Sequence, residues 1–168
     1  DQQALARGIA LAAVERAAAL SINAPAAIGS AGRTDGRIRL GFISPNLRDH
    51  PSAKLHWRHL ALRDRTRFET FGYSLHRGEG PLKQRIVEAC DEFGEVSGLD
   101  SREIAARIVR DGIDILVDLA GHLEHSRPEV FALRPAPVRV SYLGLPGTMG
   151  RELIDYRITD AYTTPPEE

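Results

Sequence analysis

One cysteine, one methionine and one tryptophan are all that the 168 residues contain of those types. A lone Cys90 excludes an intramolecular disulfide and leaves no second thiolate for a cysteine-based zinc site, which is the pattern of a reducing compartment. A cytoplasmic protein is expected. Charge of one sign is missing too: 22 Lys and Arg against 23 Asp and Glu leave a formal net charge of −1. Such a balance gives no electrostatic footprint for nucleic acid or an anionic membrane, so neither is expected as a partner. Long apolar runs are absent. The most apolar stretch, Leu11 to Leu20, is broken by Glu15 and Arg16 and falls far short of the roughly 20 residues a membrane span needs. It also lacks the basic start and cleavage site of a signal peptide.

What remains is an ordinary globular composition, 42% hydrophobic and 27% charged, long enough for one domain with a short appendage. The opening "QQALARGIALAAVERAAAL" is built of good helix formers, with Leu5, Ile9, Ala12, Ala13 and Arg16 at helical spacing. A helix is expected, with that set as its apolar face. "SINAPAAIGSAGRTDGR" cannot sustain a period and reads as a connection. The boundary falls near Asp35: a helical segment and linker over 1–34, then one domain over 35–168. Beyond it, "RIRLGFIS", "RFETFGYS", "IDILVDLAG", "VRVSYLG" and "IDYRITD" read as strands. "PSAKLHWRHLALR", "PLKQRIVEAC" and "SREIAARIVRDG" read as helices between them. The first carries Leu55, His59 and Leu60 on one side; the last should open on Asp100 or Ser101 with Glu103 behind it and end at Gly112. Alternating strands and helices with short connections predict an α/β fold, a Rossmann-like doubly wound parallel sheet preceded by an α-helical segment. Trp57 and the Phe and Tyr residues are assigned to the core, and His56, His59 and His76 to packing or surface.

Ligands of such sheets lie at the carboxyl ends of the strands. After the first strand, "SPNLRDHPS" places His50 and Ser52 where a helix begins, either as a helix cap or as an acid, base or phosphate contact. After "DILVDLAG" come His122 and His125, spaced by three; a metal pair, a polar loop with His122, Glu124 and Arg127 facing a crevice, and a plain surface loop are all open readings. After "VRVSY", the run "LGLPGTMG" carries Gly144, Gly147 and Gly150, either for close approach to a ligand or for a tight turn. It matches neither G-x-G-x-x-G nor a Walker loop, which disfavours a nucleotide oxidoreductase or a P-loop enzyme.

Taken together, "FALRPAPVRVSYLGLPGTMG", "IDYRITD", "IRLGFISPNLRDHPSAKLH" and "DILVDLAGHLEHSRPEVF" resemble the catalytic region of the protein O-GlcNAc transferases and their SPINDLY relatives, in the same order over Arg37 to Asp160. The resemblance implies the N-terminal half of a GT-B fold, preceded by the end of a tetratricopeptide region. It implies inverting transfer of GlcNAc from UDP-GlcNAc to protein Ser or Thr, with no metal and no cofactor. Its partners would be the nucleotide sugar, an acceptor protein and a C-terminal nucleotide-binding catalytic domain outside this chain, without which this piece should be inactive. His50 takes the catalytic position. Pro51, Ser52, Leu143, Gly144 and Pro146 take donor and sugar positions, the glycine backbone letting the hexose come close in a cleft shared with His50. Lys54, His122 and Arg127 lie on the acceptor side, where relatives often carry Tyr-Thr-Lys in place of His122, Leu123 and Glu124. Asn46 departs from an Asp common in relatives, and an amide cannot take a proton. The SPINDLY branch raises O-fucosyl transfer from GDP-fucose as an alternative, and a non-catalytic protein-binding module is a second.

Overall fold

The computed structural model describes residues 2–18, 36–145 and 147–165. The connection expected before Asp35 and the site residue Pro146 lie outside the described residues. In chain order the elements are α1 (Gln2–Ala18), β1 (Ile38–Ser44), α2 (Ala53–Leu62), β2 (Phe68–Ser74), α3 (Pro81–Ala89), β3 (Glu92–Glu95), α4 (Ser101–Arg110), β4 (Ile115–Asp118), α5 (Pro128–Ala132), β5 (Val138–Tyr142) and β6 (Tyr156–Ile158). The strands form one sheet in the order β3-β2-β1-β4-β5-β6, every pairing parallel. This is the expected doubly wound α/β arrangement. Its strand order reverses between β1 and β4, which opens a crevice at their carboxyl ends.

Both faces of the sheet are covered, which is why its central strands read as unbroken apolar runs. On one face Ile43, Phe71, Tyr73 and Leu116 pack with Ile104 and Ile108 of α4, Val130 and Phe131 of α5, and the alanines of α1. On the other, Val117, Leu119 and Val140 pack with Ala53 and Leu60 of α2 and Ile86 and Ala89 of α3. The start of α4 is as expected: Asp100 accepts from the Glu103 amide and the Glu103 side chain accepts from the Asp100 amide.

Two helix faces differ from the expected ones. In α1 the buried residues are Ala6, Ala10, Ala13 and Ala17, whereas Leu5 is 68% exposed. The helix lies so close to the domain that a methyl group built on Gly150 would stand 3.0 Å from the Ala10 Cβ, and only alanines fit there. In α2 the buried residues are Ala53, His56 and Leu60, while Leu55 and His59 face outward. Three further features were not expected: β3, the short α5, and the exposure of Tyr156 and Tyr162 outside the core.

The amino ends of the strands are closed by polar pairing. Asp114 accepts from the Arg39 amide at 2.8 Å, Arg39 Nε donates to Glu69 at 2.7 Å, and the Tyr73 hydroxyl donates to Asp111 at 2.8 Å. The carboxyl rim is the open side, whereas the amino ends of β5 and β6 are tied together by one further residue. Arg139 on β5 is fully buried at 0% exposure. Its guanidinium donates to Asp155 at 3.1 and 2.7 Å and to the carbonyls of Phe131 and Glu152 at 2.9 and 3.0 Å. The Arg139 amide also donates to Asp155 at 2.9 Å. Burial pushes the Asp155 carboxyl up, but these hydrogen bonds outweigh it and hold the group below the ordinary carboxylate range. Replacing one partner of such a pair strands the other together with two carbonyls. Arg139→Leu is therefore expected to cost about 3–5 kcal/mol, read as a lower urea midpoint at unchanged m-value.

Candidate functional site

Register sets the exits of three strands abreast. Ile43 pairs with Asp118 across β1 and β4, and Asp118 with Ser141 across β4 and β5, so the loops at 45–52, 119–127 and 143–150 leave the sheet side by side. The site is built mostly of backbone held by small residues, and its centre is a group not singled out from the sequence. Asp118 is buried and its two oxygens accept from the amides of Ala120 at 3.0 Å and Gly121 at 2.8 Å. Burial pushes this carboxyl up to about 6, with the two amides acting against the shift. The apolar run therefore ends as a strand at Asp118 and turns there, rather than continuing to Gly121.

That turn receives the β5 exit. The Leu145 amide donates to the Ala120 carbonyl at 3.0 Å, and the ring of His122 meets the Thr148 carbonyl at 2.9 Å through Nε2. A methyl group on Gly144 would lie 2.6 Å from the Ala120 carbonyl carbon and 2.7 Å from the Gly121 nitrogen. The missing side chain of Gly144 is thus used for contact between two loops, and any ligand must approach its other side. Leu143 beside it is held at φ +49, a left-handed conformation costly for a branched side chain. Leu143 and Gly144 line a cleft of about 300 Å³ with Tyr142, Arg157, Thr159 and Asp160.

On the other side of the crevice, the β1 exit enters α2 through a tight turn in which the Ala53 amide donates to the His50 carbonyl at 3.0 Å. The His50 ring is committed at one nitrogen: Nδ1 lies 2.7 Å from the Ser52 hydroxyl and accepts from the Ser52 amide at 3.2 Å. An amide can only donate, so Nδ1 carries the lone pair and the neutral ring carries its proton on Nε2. His50 therefore does cap the turn, and it also presents Nε2–H as the nitrogen free to meet a ligand. The Ser52 hydroxyl is engaged by the same ring.

Of the remaining expected residues, Pro51 and Lys54 are exposed at the start of α2. Arg127 is half-buried at the N-cap of α5, and its guanidinium has no partner among the described residues. Asn46 is buried at 8% exposure, its main-chain N–H donating to Ser44 Oγ at 3.0 Å. His50 is not among the residues lining the cleft of Leu143 and Gly144; β1 and β5 are two strands apart, about 10 Å at the usual spacing. His122 and His125 do not converge: His125 Nε2 lies 3.5 Å from Glu124 on the surface. Among the described residues no three His, Cys, Asp or Glu stand together as a metal-binding group.

Behind the rim, His56 is buried with Nε2 lacking a hydrogen-bond partner among the described residues, its ring edge-on to Tyr142 at 6.0 Å between centroids. Burial pushes this imidazole down from 6.5 to about 4, and His59 adds to the shift. As pH falls from 6.5 to about 4 the unfolded chain protonates at His56 before the folded one, so stability declines. Asp118 runs the other way: its folded carboxyl protonates near 6 and its unfolded one near 3.8, so stability rises as pH falls through that window. The two slopes oppose. Relative to wild type, the urea midpoint of His56→Leu should therefore fall less from pH 6 to pH 4, and that of Asp118→Asn should fall more. Gly144→Ala should force the two loops apart and cost about 1–3 kcal/mol in the same measurement.

The model of the family described as glycosyl transferase family 41 matches residues 2–168. The chain is 38% identical over 130 residues to an Arabidopsis thaliana protein named probable UDP-N-acetylglucosamine-peptide N-acetylglucosaminyltransferase SEC, covering 77% of this chain and 13% of that protein. It is 37% identical over 131 residues to a Caenorhabditis elegans UDP-N-acetylglucosamine-peptide N-acetylglucosaminyltransferase, covering 77% of this chain and 11% of that one. With the SPINDLY protein of Arabidopsis thaliana the identity is 32% over 134 residues, 77% of this chain and 15% of that protein. A solved mutant of the Thermobaculum terrenum O-GlcNAc transferase superimposes with a TM-score of 0.79 at 32% identity, covering 96% of this chain and 32% of that chain. The chain thus spans no more than 15% of the length of these curated relatives.

Proposed function

Glycosyl transferase family 41 is the family to which this chain belongs, and from that premise we propose that it forms the first catalytic domain of a protein O-GlcNAc transferase. The reading is of inverting, metal-independent transfer of N-acetylglucosamine from UDP-GlcNAc to Ser or Thr hydroxyls of acceptor proteins. The observation that carries it is the rim itself: an imidazole with one nitrogen committed and one free among the described residues, on the same carboxyl rim as the β5 exit two strands away, where Leu143 and Gly144 border a small cleft. A hexose face can lie on Leu143, and its polar edge can reach main chain.

In the transfer step the acceptor oxygen attacks the anomeric carbon as the bond to the diphosphate breaks, its electron pair leaving with the phosphate and the hydroxyl proton passing to an oxygen of that donor phosphate. His50 Nε2–H suits donation to oxygen on the donor, where negative charge grows. It does not suit taking the acceptor's proton, because that would require the tautomer that loses the Ser52 amide. Ser52 then contributes to the donor site through the imidazole it holds. Lys54, His122 and Arg127 fall on the acceptor side in this reading, and Asn46 accepts no proton.

A second, nucleotide-binding domain completes the site. In support, Leu143, Leu145, Tyr156 and Ile158 are exposed together along the β5 and β6 end of the sheet, an apolar surface of the kind that marks an interface. Leu5 and Leu11 on the outer side of α1 support a further helix there, as in a tetratricopeptide array. No described helix is long and apolar enough to cross a membrane, which agrees with a cytoplasmic setting. The division at residue 35 and the inactivity of this domain alone belong to the same proposal.

Full-length protein should transfer label from UDP-GlcNAc to protein hydroxyls, and His50→Ala should lower kcat/KM by about 10²-fold. Transfer from GDP-fucose alone would replace the donor and favour the SPINDLY-type alternative. Absence of turnover with every nucleotide sugar would favour a protein-binding module, the reading that the buried Asn46 amide supports.

A further inference from the structure

His50 is held at its ring by Ser52, and its backbone is held by another element. The residue before it, Asp49, extends from the β1 exit to the start of α3. That helix begins without a cap of its own. Its N-cap position is Gly80, which has no side chain, and its first residue is Pro81, which has no amide hydrogen. The first amide available to an acceptor is Leu82, and Asp49 Oδ1 accepts from it at 3.2 Å. Gly80 makes the room: a methyl group there would lie 1.6 Å from Asp49 Oδ2 and 2.5 Å from its Cγ. Gly80 also sits at φ +142, where a side chain would be strained. A carboxylate at this end of a nine-residue helix gains from the helix dipole as well. The helix itself is packed through Ile86 and Ala89 against the sheet and α2, so it is a fixed point against which a loop can be braced.

We propose that Asp49 is a positioning residue for His50, clamping the loop to the α3 N-terminus so that the imidazole stays seated on Ser52 with Nε2–H toward the crevice. This rests on the transferase reading for its catalytic consequence, but the geometry of His50 can be read without turnover. In full-length protein, Asp49→Ala should lower kcat/KM with the sugar nucleotide by about tenfold. Asp49→Asn, which keeps an acceptor for the Leu82 amide, should restore most of it. Asp100→Ala, which removes the cap of α4, serves as the control for loss of a helix cap as such and should leave kcat/KM unchanged.

The second readout is the imidazole ¹⁵N spectrum of histidine-labelled full-length protein, with His50 assigned by its loss in His50→Gln. The wild type should show the Nε2-protonated pattern, Asp49→Ala a mixture of tautomers, and Asp100→Ala the wild-type pattern. Wild-type kcat/KM together with an unchanged His50 spectrum in Asp49→Ala overturns the proposal. Should that variant fail to fold, Gly80→Ala displaces the carboxylate while keeping it, and the same two outcomes decide. If wild-type protein uses neither UDP-GlcNAc nor GDP-fucose, the transferase reading falls, and the His50 spectrum alone decides the role of Asp49.

Discussion

The β5 and β6 half of the sheet is anchored at its amino end by a single guanidinium. Arg139 joins β5, the carbonyl at Phe131 in α5, the turn at Glu152 and the carboxylate of Asp155 just before β6. Four pieces of chain are tied at one point beside the apolar cluster that Phe131, Leu153 and Ile154 share. The 143–150 loop runs between Tyr142 in β5 and the turn that Arg139 holds, so both its ends are held from outside the loop. A buried ion pair is rarely a net source of stability compared with a well-packed apolar core. Its value here is directional, because carbonyls and a carboxylate at fixed angles admit one arrangement of the loop.

Within that frame the site is made by close approach of main chain. Asp118 turns the chain so that the amides of Ala120 and Gly121 point at its oxygens, and this exposes the Ala120 carbonyl to Leu145. Gly144 then packs on the turn with no Cβ between. Each step uses a residue type with no substitute of similar size: a carboxylate with two acceptors, a residue at positive φ, and a residue without a side chain. The opposite loop follows the same logic, with Ser52 and Asp49 holding His50 from two directions.

The layout of this sheet was legible because its signal is local. Apolar runs at β1, β2 and β4, the Asp100 and Glu103 pair, and the alternation of strands with helices all lie within windows of a dozen residues. What escaped was of two kinds. Elements with weak local signals were missed: β3 is four residues, Glu92–Glu95, with charged ends, and α5 is five. Burial set by a distant neighbour was misjudged. The α1 face of alanines was overlooked in favour of larger residues, and the choice between packing and surface for His56 was left open, because close approach and an unpartnered ring are invisible to periodicity. The positions of His50, Leu143 and Gly144 came from motif resemblance. Their geometry did not, since nothing in "LGLPGTMG" says that Gly144 faces Ala120, and the partners of Asp118, Arg139 and Asp49 lie 2 to 33 positions away. An acid closing a β-run, "ILVD", and an arginine between valines, "VRV", were the available clues.

The alanine stripe of α1 has a mechanical consequence. Because Ala6, Ala10, Ala13 and Ala17 are buried while Leu5 and Leu11 are not, rolling the helix by one residue, about 100°, would drive a leucine into a gap sized for a methyl group. The Arg16 contact to Glu129 at 2.7 Å opposes sliding along its axis. With roll opposed by packing and slide by this contact, the heading of α1 is dictated by the sheet it lies on.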